Sequence, residues 1–264
     1  MILLKKISDV FGLCFSAVRH VLIMCDIPAV VALLNGKANL PHLKFANTFV
    51  SSSPVSDITK YLTNYKGRNY DVMFATSNLL TPNNFSTSDL TAIRNLSVST
   101  SSAFNAWLLS LAGQAATTGL LIQIPNTDLA LVTKTQFPGM LGGDGASPVS
   151  RLWNLLVNQL RANGQSSRQG IQVVASKLIA GKRPRLVPIT DSFVREELGI
   201  KGWGPVWSCY HTIVSNPAIA PLIAQVRAGV AANGPFDAGV TVSGLSDVRI
   251  LDLVDWCFHE RRLK

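Results

Sequence analysis

Residues 168–184 read Arg-Gln-Gly-Ile-Gln-Val-Val-Ala-Ser-Lys-Leu-Ile-Ala-Gly-Lys-Arg-Pro, an aliphatic run with basic residues at its start, middle and end. This run predicts a helix from Arg168 to Ala180. The sequence Gly181-Lys-Arg-Pro184 then ends the helix, because glycine and proline commonly stop helices. A helix that carries cations is therefore expected in this part of the chain.

A second helix is predicted immediately upstream, from Pro148 to Ala162. Ser147 has a side chain suited to capping the first backbone N–H groups, and proline is well tolerated in the first turn of a helix. Gly164 follows the last residue and is a favourable stop. Residues 148–180 thus predict two helices joined by a short polar loop.

Most of the remaining chain also has helical patterning, with apolar residues at spacings of three and four. Ser86 and Asp89 have the spacing of a capping box, which marks the start of a helix. Further helices are predicted over residues 1–34, Asp57–Tyr65, Ser86–Leu96, Ser101–Ala116, Val206–Val214, Pro217–Ala232 and Ser246–Arg262.

Two regions have strand-like composition instead. Leu120–Ile124 and Leu129–Thr135 are apolar runs on either side of the turn-like Pro125-Asn-Thr-Asp128, which predicts a β-hairpin near the middle of the chain. Tyr70–Ala75 is a weaker strand candidate. The predicted fold class is therefore mainly α-helical, with one small β-hairpin.

A glycine-rich loop, Pro138-Gly-Met-Leu-Gly-Gly-Asp-Gly145, is the natural place to divide the chain. Division there gives an N-terminal helical lobe over residues 1–140, with an arm and the hairpin, and a C-terminal basic helical lobe over residues 141–264. One continuous helical domain is the alternative, because a chain of this length fits either arrangement.

The 264 residues include 24 Lys and Arg against 15 Asp and Glu, a formal net charge of +9. With 47% hydrophobic residues, the chain has the composition of a folded protein rather than of a disordered tail. A strongly basic balance favours a polyanionic partner, which is nucleic acid first and an acidic membrane second.

The positive charge is concentrated between Gly145 and Thr190, where seven basic residues occur without a single acidic one. Clustered cations of this kind neutralise nucleic-acid phosphates and release their counterions. A solvated surface that keeps the protein soluble is the alternative interpretation. The candidate RNA-binding residues are Arg151, Arg161, Arg168, Lys177, Lys182, Arg183 and Arg185.

Other residue types predict less. Trp203, Trp207 and Tyr210 have side chains that can stack on bases, although aromatic residues at this spacing are more often core. Asp252 and Asp255 share one face of a predicted helix, and an exposed face is the default expectation. The four cysteines and four histidines form no zinc-ligand pattern, so neither a metal nor a cofactor is predicted.

No stretch approaches the roughly 20 apolar residues that cross a bilayer, so the sequence does not predict a membrane as the partner. A peripheral membrane protein is kept as an alternative, with Lys5, Lys6 and Arg19 facing an anionic surface. The same N-terminal helix can serve instead as an arm exchanged between subunits, or as an ordinary core helix.

The loop Gly142-Gly143-Asp144-Gly145 resembles the GGDG motif of the diacylglycerol-kinase and NAD-kinase families. That resemblance implies a phosphate-ligand enzyme, with backbone amides of the glycines near phosphate and Asp144 in the nucleotide site. Ala146 stands where those families usually have threonine, and the surrounding sequence lacks doubly wound βα alternation. A loop that joins two elements accounts for the same glycines.

In overall character, a basic and mainly helical chain without a convincing active site resembles the nucleocapsid and coat proteins of RNA viruses. That resemblance implies a non-enzymatic, self-assembling protein that packages single-stranded RNA in a basic groove and forms homo-oligomers through terminal arms or helices. Its expected location is the virion and the host cytoplasm. This is the function that the sequence predicts, with the kinase-like and membrane-binding alternatives behind it.

Overall fold

A computed structural model describes residues 30–31, 54–64, 67–142, 145–165, 170–197, 205–234 and 244–262. Every regular element within these ranges is helical, which confirms the predicted mainly α class. A single 3₁₀ turn lies at Leu129–Leu131. The α-helices are α1 (Pro54–Asn64), α2 (Arg68–Leu80), α3 (Thr87–Arg94), α4 (Ser102–Leu109), α5 (Leu111–Leu121), α6 (Phe137–Leu141), α7 (Pro148–Ala162), α8 (Ile171–Lys182), α9 (Ser192–Glu197), α10 (Pro205–Val214), α11 (Ile219–Ala231) and α12 (Asp247–Arg262).

The helix starts with strong local signals lie where the sequence predicts them. The Ser147 hydroxyl accepts the N–H of Ser150, and α7 covers the predicted residues 148–162. At α3, the Ser86 hydroxyl accepts the N–H of Asp89 while the Asp89 carboxylate accepts the N–H of Ser86. Both caps satisfy backbone donors that an α-helix leaves free at its first turn.

Helix α8 lies at the centre of the described molecule. Every side chain from Val174 to Lys182 is buried, so this helix is covered on all sides. It packs against α7, α3 and α2. Tyr70 donates a hydrogen bond to the carbonyl of Lys177, and Asn78 donates one to that of Gly181. The helix predicted to present cations is therefore almost completely buried.

The predicted β-hairpin is wrong, because the described residues 120–135 contain no strand. Leu120 and Leu121 end α5, residues 122–124 form a turn, and irregular backbone then leads to the 3₁₀ turn. The carbonyls of Leu121 and Ile124 accept hydrogen bonds from Arg183, and the N–H of Leu129 donates to the carbonyl of Arg185. Groups that a hairpin would pair with each other are thus paired with the end of α8.

Two further segment predictions need correction. Tyr70–Ala75 is not a strand but the middle of α2, where Tyr70 and Phe74 are buried on one helical face. The single helix predicted over Ser101–Ala116 is two helices, because the Ser110 hydroxyl accepts the N–H of Gly113 and starts α5. Gly113 also allows a close approach, since a Cβ there would overlap the carbonyl of Trp107.

Contacts connect the two halves of the sequence. Helix α1 packs against α11 and α12, and one hydrophobic cluster includes both Ile58 and Val254. The division into lobes 1–140 and 141–264 stays a prediction. Of the predicted arm over residues 1–34, only Val30 and Val31 are described, and they have helical backbone.

No helix of the described ranges has both the length and the apolar character required to cross a bilayer.

Replacement of Gly181 by alanine is expected to destabilise the fold. An added Cβ would overlap the ring of Phe74, which is itself buried against α8. Overpacking of this kind costs about 1–3 kcal/mol. The free energy of unfolding in urea measures the effect.

Gly119→Ala is the matched control, because Gly119 lies exposed in α5 and a Cβ there meets no atom. Alanine at an exposed helical position stabilises by about 0.5–1 kcal/mol. Equal unfolding free energies for the two variants would contradict the close packing of α2 on α8.

Candidate functional site

The seven basic residues predicted to bind RNA do not form one surface. Lys177, Lys182 and Arg183 are buried, with exposures of 6%, 1% and 4%. Arg151, Arg161 and Arg185 are exposed. Arg168 lies outside the described residues.

Lys182 is held inside the protein by three polar partners. Its Nζ lies 2.7 Å from Oδ2 of Asp89 and donates hydrogen bonds to the Ser77 hydroxyl and to the Thr81 carbonyl, both at 3.0 Å. Both charged side chains of the ion pair are fully buried. Because a buried charge is costly without such partners, this lysine has a structural role at the junction of α8, α2 and α3.

Arg183 connects segments that are far apart in sequence. Its Nε donates to the Ile124 carbonyl at 2.7 Å, and Nη1 donates to the Pro82 carbonyl at 2.9 Å. Nη2 donates to the side-chain oxygen of Asn83 at 2.6 Å and also to the carbonyl of Leu121. The planar guanidinium thus joins the loop before α3 to the end of α5. Its N–H donors are used by these protein acceptors and not by a phosphate.

Lys177 lies one helical turn before the end of α8. Its Nζ donates one hydrogen bond, 2.8 Å long, to the carbonyl of Leu96. The next residue, Ser97, has a left-handed backbone with φ of 59°, a conformation that few non-glycine residues adopt. Burial lowers the pKa of Lys177 from 10.5 to about 8, and the nearby charge of Asp191 partly opposes that shift.

The exposed members of the predicted set have two different environments. Arg185 is bound by Asp128, whose Oδ1 accepts from Nε at 2.8 Å and whose Oδ2 accepts from Nη2. Arg151 and Arg161 instead lie on the outer face of α7. Asn154 and Asn158 are exposed between them, and we call these four residues the α7 stripe.

Acidic and basic side chains are unequally distributed between interior and surface. The Asp residues that the structure describes are buried or half-buried, although the side chain of Asp247 is 44% exposed, and two of them, Asp71 and Asp89, pair with buried cations. The described charged residues that are exposed are all basic: Lys60, Arg94, Lys134, Arg151, Arg161 and Arg185. The surface of the described part is therefore more basic than the net charge indicates.

A pocket opens beside Lys177, where helices α1, α8, α9 and α12 meet. Its cavity has a volume of about 40 Å³. We call it the Lys177 pocket. Its lining consists of Tyr61, Leu96, Lys177, Ile189, Asp191, Val194, Arg249, Asp252, Leu253 and Trp256.

Asp252 is one of two acidic residues that line this pocket and is only 3% exposed. Its Oδ2 accepts the N–H of Ile189 at 3.0 Å, whereas its Oδ1 is buried and has no hydrogen-bond partner among the described residues. Burial raises the pKa of Asp252 to about 7, despite the opposing charge of Arg249 and the nearby hydroxyl of Tyr210. Near neutral pH this carboxyl can therefore accept or donate a proton.

Arg249 forms another wall of the Lys177 pocket. Its Nε donates to Oδ1 of Asp71 at 2.8 Å, and its Nη2 donates to the Tyr61 hydroxyl at 2.8 Å. Tyr61 in turn donates to Oδ2 of Asp71 at 2.8 Å. This closed set of hydrogen bonds fixes the orientation of α1, α2 and α12 around the cavity.

The exposed aspartate face expected on α12 is wrong, because both Asp252 and Asp255 are buried. Trp207 and Tyr210 are also buried, and the Tyr210 hydroxyl donates to Oδ2 of Asp255 at 3.2 Å. The pattern of α12 contains a signal of this burial, since every residue from 248 to 258 other than Arg249 and the two aspartates is apolar. Acids in such a helix are expected inside the protein.

The predicted glycine-rich loop is helical over residues 138–141, which belong to α6; of its remainder, Gly142 and Gly145 are described, whereas Gly143 and Asp144 are not. The carbonyl of Gly142 accepts hydrogen bonds from the hydroxyls of Ser147 and Ser150. Gly145 has a positive φ of 82°, which a side chain rarely adopts. No group of three or more metal-ligating His, Cys, Asp or Glu side chains occurs among the residues that the structure describes.

These features define a basic, mainly helical protein with a small pocket of titratable groups. The chain belongs to the family of unknown function DUF6308, which it matches over residues 54–259. The match begins at the first residue of α1 and ends within α12. Neither a curated protein nor a solved structure matches the sequence.

Lys182→Met is expected to destabilise the protein by about 3–5 kcal/mol. The variant leaves Asp89 buried without its counter-charge, and an uncompensated buried charge has a cost of this size. Urea unfolding measures the loss. Lys134→Met, at an exposed position, should change the unfolding free energy by less than about 0.5 kcal/mol. Two similar values would contradict a structural role for Lys182.

Asp252 should make the protein less stable as the pH rises from about 4 to about 7. In this range the unfolded chain releases the carboxyl proton while the folded chain retains it, because burial raises the folded pKa to about 7. The free energy of unfolding therefore falls until the pH passes that value. Urea unfolding of Asp252→Asn at several pH values should show a shallower decline than the unchanged protein. Parallel curves of unfolding free energy against pH for the two proteins would contradict the raised pKa of Asp252.

Proposed function

We propose that this protein binds single-stranded RNA along its phosphate backbone, through the α7 stripe. The observation that carries this proposal is the exposed alignment of Arg151, Asn154, Asn158 and Arg161 on one helix. Two of them, Arg151 and Arg161, belong to the seven cations predicted from sequence, and the two asparagine amides lie between these arginines.

The spacing of the stripe supports contact with an extended polyanion. With 3.6 residues per turn, the four positions lie within a sector of about 80° on the helix surface. The α-carbons of Arg151 and Arg161 are about 15 Å apart along the helix axis, from a rise of about 1.5 Å per residue. Two guanidinium groups at this separation can each hold a phosphate, and the asparagines between them can bond phosphate or ribose oxygens.

The charge distribution supports the same interaction. No acidic residue occurs between Gly145 and Thr190, so the stripe has no acidic neighbour along its own helix. The other exposed charged residues of the described ranges are basic as well. An anionic chain that approaches this surface meets little local repulsion, and this favours association.

The proposed RNA contact uses fewer residues than the predicted groove lined by all seven cations. Lys177, Lys182 and Arg183 direct their nitrogen atoms to protein acceptors, and Arg185 is bound by Asp128. Assembly into a viral nucleocapsid, and homo-oligomers formed through terminal arms, stay predictions. Residues 1–29, which would supply the arm, lie outside the described part.

The variant Arg151→Gln/Arg161→Gln is expected to bind a labelled single-stranded oligouridylate more weakly and with a smaller salt dependence. Each lost phosphate contact on a single strand reduces the slope of log affinity against log salt by about 0.7, so two lost contacts reduce it by about 1.4. Fluorescence anisotropy over a range of salt concentrations measures both quantities.

Lys60→Gln/Lys134→Gln is the matched control, because it removes the same charge from exposed positions outside the stripe. We expect its affinity to fall less and its salt slope to stay close to that of the unchanged protein. Equal losses of RNA affinity in the two variants would indicate a general effect of net charge and would contradict binding at the α7 stripe. No binding by the unchanged protein at low salt would overturn the proposal.

A further inference from the structure

We propose that the outer face of α5 is a docking surface for a second copy of this chain, which packs its own α5 there about a twofold axis. The opposite side of α5, with Gly113, Thr117 and Leu121 buried, packs against the rest of the molecule, and α5 contacts α4 and α7. The outer face is exposed and apolar, and we call its six residues the α5 face: Leu111, Ala112, Ala115, Ala116, Gly119 and the capping residue Ile122. The inference does not rest on RNA binding, because the α5 face and the α7 stripe share no residue.

Large apolar side chains are exposed on the α5 face. Leu111 is 93% exposed and Ile122 is 64% exposed. Leu109, at the end of α4 and two residues before α5, is exposed as well. These three are half of the six large apolar side chains that the described ranges expose. At 3.6 residues per turn, the six positions of the α5 face lie within a sector of about 140°. A continuous apolar surface of this kind marks an interaction site.

The distribution of charge favours a second copy as the occupant. No charged residue occurs from Asn95 to Thr127, a segment that includes all of α4 and α5. The charged residues that the described surface exposes elsewhere are basic, so two copies that met there would repel each other. Two copies with a net charge of +9 can meet at the α5 face without placing like charges in contact.

The same absence of charge disfavours two other occupants. An acidic protein finds no cation on α5 that would complement its charge. Helices that bind at the surface of anionic membranes carry Lys or Arg on their polar side, and α5 has neither residue. The α5 face therefore fits a partner surface that is itself apolar and uncharged, which a second α5 provides.

The order of side chains along the α5 face is self-complementary. It runs from a large residue, Leu111, through the small Ala115 and Gly119 to a large residue, Ile122, so it reads alike in both directions. A twofold axis brings the same patch of both copies together. In an antiparallel pair, the large side chain at one end of each helix meets the large side chain at the other end of its partner. The small residues between them let the helix axes approach to about 8 Å.

The length of α5 sets the expected strength of the contact. Its 11 residues span about 16 Å at a rise of about 1.5 Å per residue. A single helix pair of this length buries less than the roughly 1,200 Å² at which stable protein interfaces begin. We therefore expect a reversible dimer that dissociates on dilution.

The first test is sedimentation velocity of the full chain over a range of protein concentrations, after nuclease treatment and in high salt. These conditions remove bound nucleic acid and screen the net charge. Ala115→Lys is expected to raise the dissociation constant of the dimer at least tenfold, because a long charged side chain at the centre of the α5 face keeps the two helices apart. A monomer at every concentration of the unchanged protein would overturn the proposal.

Ala224→Lys is the matched control. Ala224 is an exposed alanine of α11, and the substitution adds the same charge. Within the described residues, α11 exposes no large apolar side chain. We expect the dissociation constant to change less than twofold in this variant. Equal effects of the two substitutions would contradict docking at the α5 face.

A second test identifies the occupant by the labelling rate of a thiol introduced through Ala115→Cys. We expect maleimide labelling at this position, located by peptide mapping, to be slow at concentrations where the protein is dimeric and at least tenfold faster after dilution. Slow labelling at all concentrations would mean that another segment of the same chain covers the face. Fast labelling at all concentrations would mean that the face stays open. Either result would overturn the proposal.

Discussion

The ion pair between Lys182 and Asp89 is the interaction on which the described fold depends most. Asp89 also completes the capping box that starts α3, so a single carboxylate fixes a helix start and neutralises a cation in the core. Ser77 and Thr81 bring the end of α2 to the same ammonium group. Because a buried pair must be satisfied on all sides, the positions of α2, α3 and α8 are determined together.

Local signals made much of the fold predictable. The caps at Ser86 and Ser147 act on backbone groups within three residues, so the starts of α3 and α7 follow from sequence. The failed hairpin at residues 120–135 depends instead on Arg183, which is distant in sequence and binds the carbonyls there. An apolar run with turn residues has the same composition whether its backbone pairs with a strand or with a guanidinium.

The candidate sites show the same contrast. Arg151 and Arg161 were predictable, because helical spacing on α7 places them on its outer face. The burial of Lys182 and Arg183 was not, since charge alone does not reveal which distant carbonyls accept a long side chain's hydrogen bonds. The Lys177 pocket was missed for a related reason: Lys177 and Asp252 belong to helices that tertiary packing alone brings together.

The long sequence distances between these partners also govern how the chain folds as it is made. Lys182 and Arg183 bind groups about a hundred residues earlier in the chain, and Arg249 binds Asp71 across an even longer interval. Helices α2 to α5 therefore leave the ribosome without the side chains that complete their packing. The hydrophobic core can form only late in synthesis. Helices α2 to α5 must therefore stay soluble until α8 and α12 have been synthesised.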